Sequence, residues 1–201
     1  MKLKALVIAA AFAVTGTAFA KVANPIDTTN GGEMLLNLFS QSGEATYQLD
    51  TGLQFGAFNL SAFAKLPDST APYTWSTTLD TSTDAAFASF VAVAGSASDL
   101  GFSFFGGDNS GVTATSRAMT TTVRAGADVT TVKDGAISDG NVQIQNYVAA
   151  VNAKMPSGLA ANGSTFFTKS EGVAHYFTGV DKSVLAGKFA QDMLLFTTQE
   201  F

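Results

Sequence analysis

The chain has no cysteine among its 201 residues. That absence excludes disulfides, thiol catalysis, thiolate metal sites and a lipid anchor on an N-terminal Cys, so stability must come from burial alone. Histidine is represented once, by His175. A single His cannot form a histidine zinc cluster, and no Gly-x-Ser-x-Gly elbow places a serine beside it. With Val173 and Phe177 on its face of a strand-like stretch, His175 reads as a structural residue. Charge is scarce too, at 13% of residues. The two arginines, Arg117 and Arg124, stand seven apart and therefore on opposite faces of a regular strand, which argues against a paired anion clamp. The net charge of −5 disfavours nucleic acid and anionic lipid surfaces, both of which are bound through Lys and Arg.

The N-terminus carries the clearest signal. Lys2 and Lys4 precede an apolar run from Ala5 to Val14, and Ala18-Phe19-Ala20 offers small residues where a signal peptidase reads them. Residues 1–20 are thus expected to be a secretory signal peptide. The run is shorter than the roughly 20 apolar residues of a membrane-spanning helix, and no such run follows, so no transmembrane anchor is expected. Cleavage after Ala20 removes two lysines and takes the net charge from −5 to −7. The predicted product is secreted, extracellular or at the cell surface, with a Gram-negative bacterium as its source.

What remains is rich in Gly, Ala, Ser, Thr and Phe, a composition that favours pleated, half-buried surfaces over helices. Residues 21–31 (KVANPIDTTNG) read as a flexible leader, and residues 32–201 as one domain. Glu33 to Gln41 is predicted as the first strand. Its Met34, Leu36 and Leu38 oppose Leu35, Asn37 and Phe39, which suggests a strand covered on both sides. Ser42-Gly43-Glu44 is a turn and Ala45 to Leu49 its hairpin return, with another turn at Asp50-Thr51-Gly52. Further strands are expected over Leu53–Phe63, Tyr73–Leu79, Leu100–Phe105, Ser116–Arg124 and Lys188–Thr198, with two short ones between Thr165 and Phe177. A short helix follows a cap at Thr83 or Asp84, with Phe87, Phe90, Val91 and Ala94 at helical spacing and Gly95 at its end. A second helix, Asp139 to Lys154, carries an apolar stripe of Ile144, Tyr147, Val148, Val151 and Met155 before Pro156. Many short strands with one or two short surface helices predict an all-β, mainly antiparallel β-sandwich or jelly roll.

Three patches carry a resemblance. They are the Gly-Glu-led strand and Tyr-x-Leu-Asp-x-Gly return within Gly32–Gly52, the aromatic strand that runs through Gly-Gly-Asp-Asn-Ser-Gly to Arg117-Ala-Met-Thr-Thr-Thr within Leu100–Thr122, and the strand around Leu194–Phe196. In these the chain resembles exported proteobacterial proteins of the PEP-CTERM-associated type. The chain departs from that group after Phe196, where only Thr-Thr-Gln-Glu-Phe follows, without the Pro-Glu-Pro signal, apolar tail or terminal Arg cluster. The resemblance implies an extracellular surface or matrix role, and supplies no catalytic residues.

Several residues invite a functional reading. Asp80-Thr-Ser82-Thr-Asp84 alternates oxygen ligands as a calcium loop does, yet such a loop needs Gly and Glu where Ala85 and Val91 stand. Asp84 as a helix cap is the plainer reading. In the Gly106–Gly111 loop, Asp108 and Asn109 are candidates for a cation or a sugar hydroxyl, against a simple hairpin turn. Trp75 with Tyr73 would stack on a sugar if exposed and would pack in the core otherwise. Phe201 behind an apolar strand is reminiscent of an outer-membrane barrel terminus, but Gln199 and Thr197 spoil the alternation.

The expectation is an exported, non-enzymatic structural subunit of an extracellular fibre, pilus-like filament or biofilm matrix. It would self-associate by strand addition through the leader (Val22, Ile26) or the last strand (Leu194, Phe196, Phe201). No cofactor is expected, calcium being the one candidate. The alternative is a secreted carbohydrate- or calcium-binding jelly-roll module, with an extracellular polysaccharide as partner. A hydrolase using Glu33 and Glu171 as paired carboxylates is the third reading, and nothing in their spacing favours it.

Overall fold

The structure is a computed structural model that describes residues 6–10, 21–26, 32–54, 75–95, 100–109, 118–124, 134–155, 163–174, 187–188 and 193–199. Its strands are β1 (Leu6–Ala10), β2 (Glu33–Ser40), β3 (Ala45–Gln54), β4 (Trp75–Leu79), β5 (Leu100–Asp108), β6 (Ala118–Arg124), β7 (Ser164–Thr168), β8 (Gly187–Lys188) and β9 (Met193–Gln199). Helix α1 spans Ala85–Val93 and α2 spans Asp134–Lys154, and a 3-10 turn, Lys169–Ala174, follows β7. The main sheet has seven strands in the order β7-β3-β2-β5-β6-β9, with β8 beside β5. Every described strand pair is antiparallel. The fold is therefore mostly antiparallel sheet with two helices.

Strand β2 sits at the centre because both of its faces are apolar. All eight of its residues are buried. Met34, Leu36 and Leu38 join Tyr47, Leu53, Phe104 and the α1 residues Phe87 and Phe90 in one cluster. Leu35 and Phe39 turn the other way, to Phe105, Phe167 and the α2 residues Ile144, Val148 and Val151, with Met155 just beyond the helix. Alternation along the strand thus assigns one helix to each face of the sheet. The second sheet has two strands, β1 and β4. Strand β1 falls inside the segment expected to be removed as a signal peptide.

Local chemistry sets the element ends. The β2–β3 hairpin closes through residues 41–44, with Glu44 at φ 44 and the Gly43 N–H donating to Ser40 Oγ at 2.9 Å. Gly43 lies so close to the Val93 carbonyl that no side chain fits there. Asp84 caps α1 by accepting from the Phe87 N–H at 2.9 Å. The helix ends at Ala94, whose N–H reaches the Phe90 carbonyl, one residue before the expected Gly95.

Three elements differ from what the sequence pattern predicts. Asp50-Thr51-Gly52 does not turn the chain. Strand β3 runs through it with a bulge opposite Glu33–Leu35, while Thr51 Oγ1 donates to the Met34 carbonyl at 2.6 Å and Gly52 takes up φ 66. Gly106 and Gly107 extend β5 rather than ending it, paired with Thr120 and Met119 of β6. A Cβ on Gly106 would collide with the Met34 sulfur, so the glycine lets β5 lie close to β2. Helix α2 is not a short surface helix: it has 21 residues, begins five before the expected start, and buries Val148 and Val151 completely. Most of the Leu53–Phe63 segment lies outside the described residues.

Candidate functional site

The leader is the first element to place. Residues 21–26 are held by other parts of the chain. The Asn152 side chain of α2 clamps Val22 from both sides, its Oδ1 accepting from the Val22 N–H at 3.0 Å and its Nδ2 donating to the Val22 carbonyl at 2.8 Å. The Glu33 N–H donates to the Ala23 carbonyl at 3.0 Å, and the Glu33 carboxylate accepts from the Ala23 N–H. The Asn109 N–H donates to the Pro25 carbonyl at 2.7 Å. Val22 is 2% exposed and belongs to the α2-side core, whereas Ile26 is 48% exposed. Of the two leader residues put forward for assembly, one is already buried at home.

The two edges of the main sheet differ in chemistry. Strand β7 forms one edge. Its Phe166 carbonyl accepts from Lys154 Nζ at 2.8 Å, and its Thr168 N–H donates to Glu171 Oε2 at 2.7 Å. Lys154 and Glu171 pair with each other, and Lys154 lies 4.6 Å from the Phe167 ring centroid. This pair holds the Glu171 carboxyl below the usual carboxylate range, mainly through the hydrogen bond from Lys154. Two alternate main-chain groups that an added strand would need are thereby occupied by side chains. The opposite edge is β9, MLLFTTQ, which has no charged residue. It holds Leu194 and Phe196, which pair with Val123 and Thr121 of β6. Phe201 lies outside the described residues.

Between the edges, a row of polar side chains crosses the sheet beneath α2. Ser103 of β5, Asn37 of β2, Gln48 of β3 and Thr165 of β7 are consecutive register partners. All four are buried. Asn37 Nδ2 donates to Ser103 Oγ at 3.4 Å, and Thr165 Oγ1 donates to Gln48 Oε1 at 2.7 Å. Tyr147 of α2 closes the row, donating to Asn37 Oδ1 at 3.1 Å while its hydroxyl accepts from Gln48 Nε2. A one-residue slip of any strand would turn its polar side chain into the apolar face, so the row fixes register. Elsewhere on β3, Asp50 is buried with its Oδ1 accepting from the Gly52 N–H at 2.9 Å, and burial pushes its carboxyl up to about 6.

The ligand candidates are dispersed. Asp80 is exposed and folds back on its own turn, its Oδ1 accepting from the Ser82 N–H at 2.8 Å. That bond holds its carboxyl below the usual range. Both oxygens of Asp84 are engaged: Oδ1 by Phe87 and Ser164, Oδ2 by the Tyr47 hydroxyl at 2.8 Å. Burial, with Asp84 beside it, pushes the Tyr47 hydroxyl far up. Asp108 ends β5 opposite Ala118, and the Asn109 N–H is used by Pro25. Among the described residues no group of three or more His, Asp or Glu is placed to hold a metal ion. Trp75 opens β4 opposite Ala10; Tyr73 and His175 lie outside the described residues. Glu33 is buried at the start of β2, and Glu171 is exposed and paired with Lys154. No helix among the described residues is long and apolar enough to cross a membrane.

No family model, curated protein or solved structure matches the chain. Any functional reading therefore rests on the residues themselves. Sequence reasoning missed the polar row and the β7 ion pair. The sign of the first was Asn37 itself, a polar residue in a strand covered on both faces, which must find partners.

Proposed function

We propose that the chain is an exported, non-enzymatic structural subunit of an extracellular fibre, pilus-like filament or biofilm matrix, assembling by β-strand addition. The observation that carries this reading is the asymmetry of the sheet edges. Edge strands are normally protected by charge, by cover or by side chains that occupy their main-chain groups. Lys154 and Glu171 do this for β7, while β9 carries no charge and, among the described residues, no strand beyond it. A subunit with one edge blunted and another that, among the described residues, is followed by no strand is suited to ordered growth. The fixed register of the central strands supports the same role, because a repeating unit must present an identical edge each time.

Removal of a signal peptide would add to this. It would take β1 away and leave β4 without the partner it has among the described residues. The finer jelly-roll arrangement would require a second large sheet facing the first, and helices take both faces of the central strands; assembly through β9 does not depend on that point.

Sedimentation velocity of the purified chain at rising concentration tests the proposal. Heavy species that grow with concentration support it. A single monomer boundary at every concentration, together with saturable heat on titrating calcium or polysaccharide, replaces it with a secreted ligand-binding module.

A further inference from the structure

We infer that residues 21–26 and the end of β3 form a proton-controlled latch, closed while Asp50 carries its proton and opened when Asp50 ionises. The latch is a property of the single chain and does not depend on assembly.

Register places the groups. Asp50 lies opposite Leu35, and alternation along β2 puts Glu33 on the same α2-side face. The two carboxyl groups are therefore diagonal neighbours on adjacent strands. Each residue is 1% exposed. Asp50 Oδ1 accepts from the Gly52 N–H at 2.9 Å, whereas Oδ2 is buried and has no hydrogen-bond partner among the described residues. A buried carboxyl with an unserved oxygen is tolerated when neutral and disfavoured when charged. Burial accordingly pushes Asp50 up to about 6.

Among the described residues, the charged groups of the surrounding elements do not offset this. Glu33 is the sole charged residue of β2 and Asp50 that of β3, and β7 has none. Lys21, the charged residue of 21–26, is exposed. On α2, Lys154 is engaged by the Phe166 carbonyl and Glu171. Asp134 and Asp139 precede Asn152 by about 20 Å of helix or more. Asp108 ends β5, across β2 from β3. An ionised Asp50 thus has a carboxyl group as its charged neighbour.

The parts that yield are those held by few bonds. Past Asp50 the β2–β3 ladder is interrupted by the bulge and resumes at Glu33 and Gln54. Residues 21–26 are attached by Asn152 at Val22, Glu33 at Ala23 and Asn109 at Pro25. Glu33 links the two, pairing with Gln54 on one side and bonding Ala23 on the other. Such ends open locally while the centre of a sheet stays closed. Opening returns the Asp50 charge to water.

Hydrogen exchange of the purified full chain tests this, in solutions dilute enough that association adds no protection. The N–H groups of Val22, Ala23, Gly52 and Leu53 all donate in the closed latch. Their protection, corrected for intrinsic exchange, is followed from about pH 4 to about pH 7.5, with Leu36 and Leu38 of central β2 as reference. Opening is expected to rise about tenfold per pH unit between 3.8 and about 6, about a hundredfold in all, and then to level off. Asp50→Asn should keep the four amides protected throughout. Should that variant fail to fold, the parent's profile against its own reference amides still decides. Protection that does not change with pH would overturn the latch. So would an equal loss at Leu36 and Leu38, which marks unfolding of the whole sheet.

Discussion

Lys154 Nζ donates to the Phe166 carbonyl at 2.8 Å and thereby occupies a main-chain acceptor on the β7 edge of the sheet. Its partner Glu171 takes the Thr168 N–H two residues along. The pair is partly exposed and screened by solvent, so its worth to stability is small. Its consequence is for association. Lys154→Met should free the acceptor, leave the unfolding midpoint nearly unchanged, and shorten the lag of assembly severalfold in light scattering. An unchanged lag would mean that β7 is closed by something else.

The converse change belongs on β9. Thr197→Lys puts a charge in the middle of the uncharged edge strand, opposite Thr120 of β6. Lysine on an edge strand opposes pairing with another chain. The variant should remain folded by circular dichroism and lose concentration-dependent sedimentation.

Tyr147→Phe removes one hydroxyl and leaves Gln48 and Asn37 with less than their full complement of partners. An unsatisfied buried polar group costs about 1–3 kcal/mol. Urea denaturation should show stability lowered by that amount, with the m-value unchanged.

Asp50 gives a pH signature of defined sign. Its carboxyl is pushed up to about 6 by burial, above its ordinary value of 3.8. The folded state therefore binds this proton more tightly than the unfolded chain. The contribution of Asp50 to stability is most favourable below about pH 3.8 and is lost as pH rises through 6, a difference of about 3 kcal/mol by pH 7. Asp50→Asn should raise stability at pH 7 and flatten its dependence between pH 4 and 7. Glu171 acts in the opposite sense, its lowered carboxyl losing stabilisation as pH falls, so the comparison is between variant and parent at each pH.

Much of the architecture could be read from local pattern. Adjacent apolar residues in Met34–Phe39 forecast a strand buried on both faces, and the spacing of Ile144, Val148, Val151 and Met155 forecast the stripe of α2. Asp84 stood out as a cap because capping is local chemistry. What escaped depends on residues far apart in the chain. The run Gly106-Gly107 has the composition of a turn, and it is a strand through its pairing with Thr120 and Met119 of β6, while the closeness of Met34 leaves no room for a side chain at position 106. The leader has the composition of a linker, and Val22 is held because Asn152 lies 130 residues later. The blunting of β7 needs Lys154 and Glu171, which flank that strand from a helix and a 3-10 turn. Leu194 and Phe196 stood out from the sequence as part of a last apolar strand, but their pairing with Val123 and Thr121 of β6, and the burial of Val22 against α2, depend on tertiary context.

Self-assembly through the β9 edge is decided by negative-stain electron microscopy of the purified chain beginning at Lys21. Regular filaments whose number and length rise with concentration are expected. Dispersed monomeric particles at every concentration would contradict it.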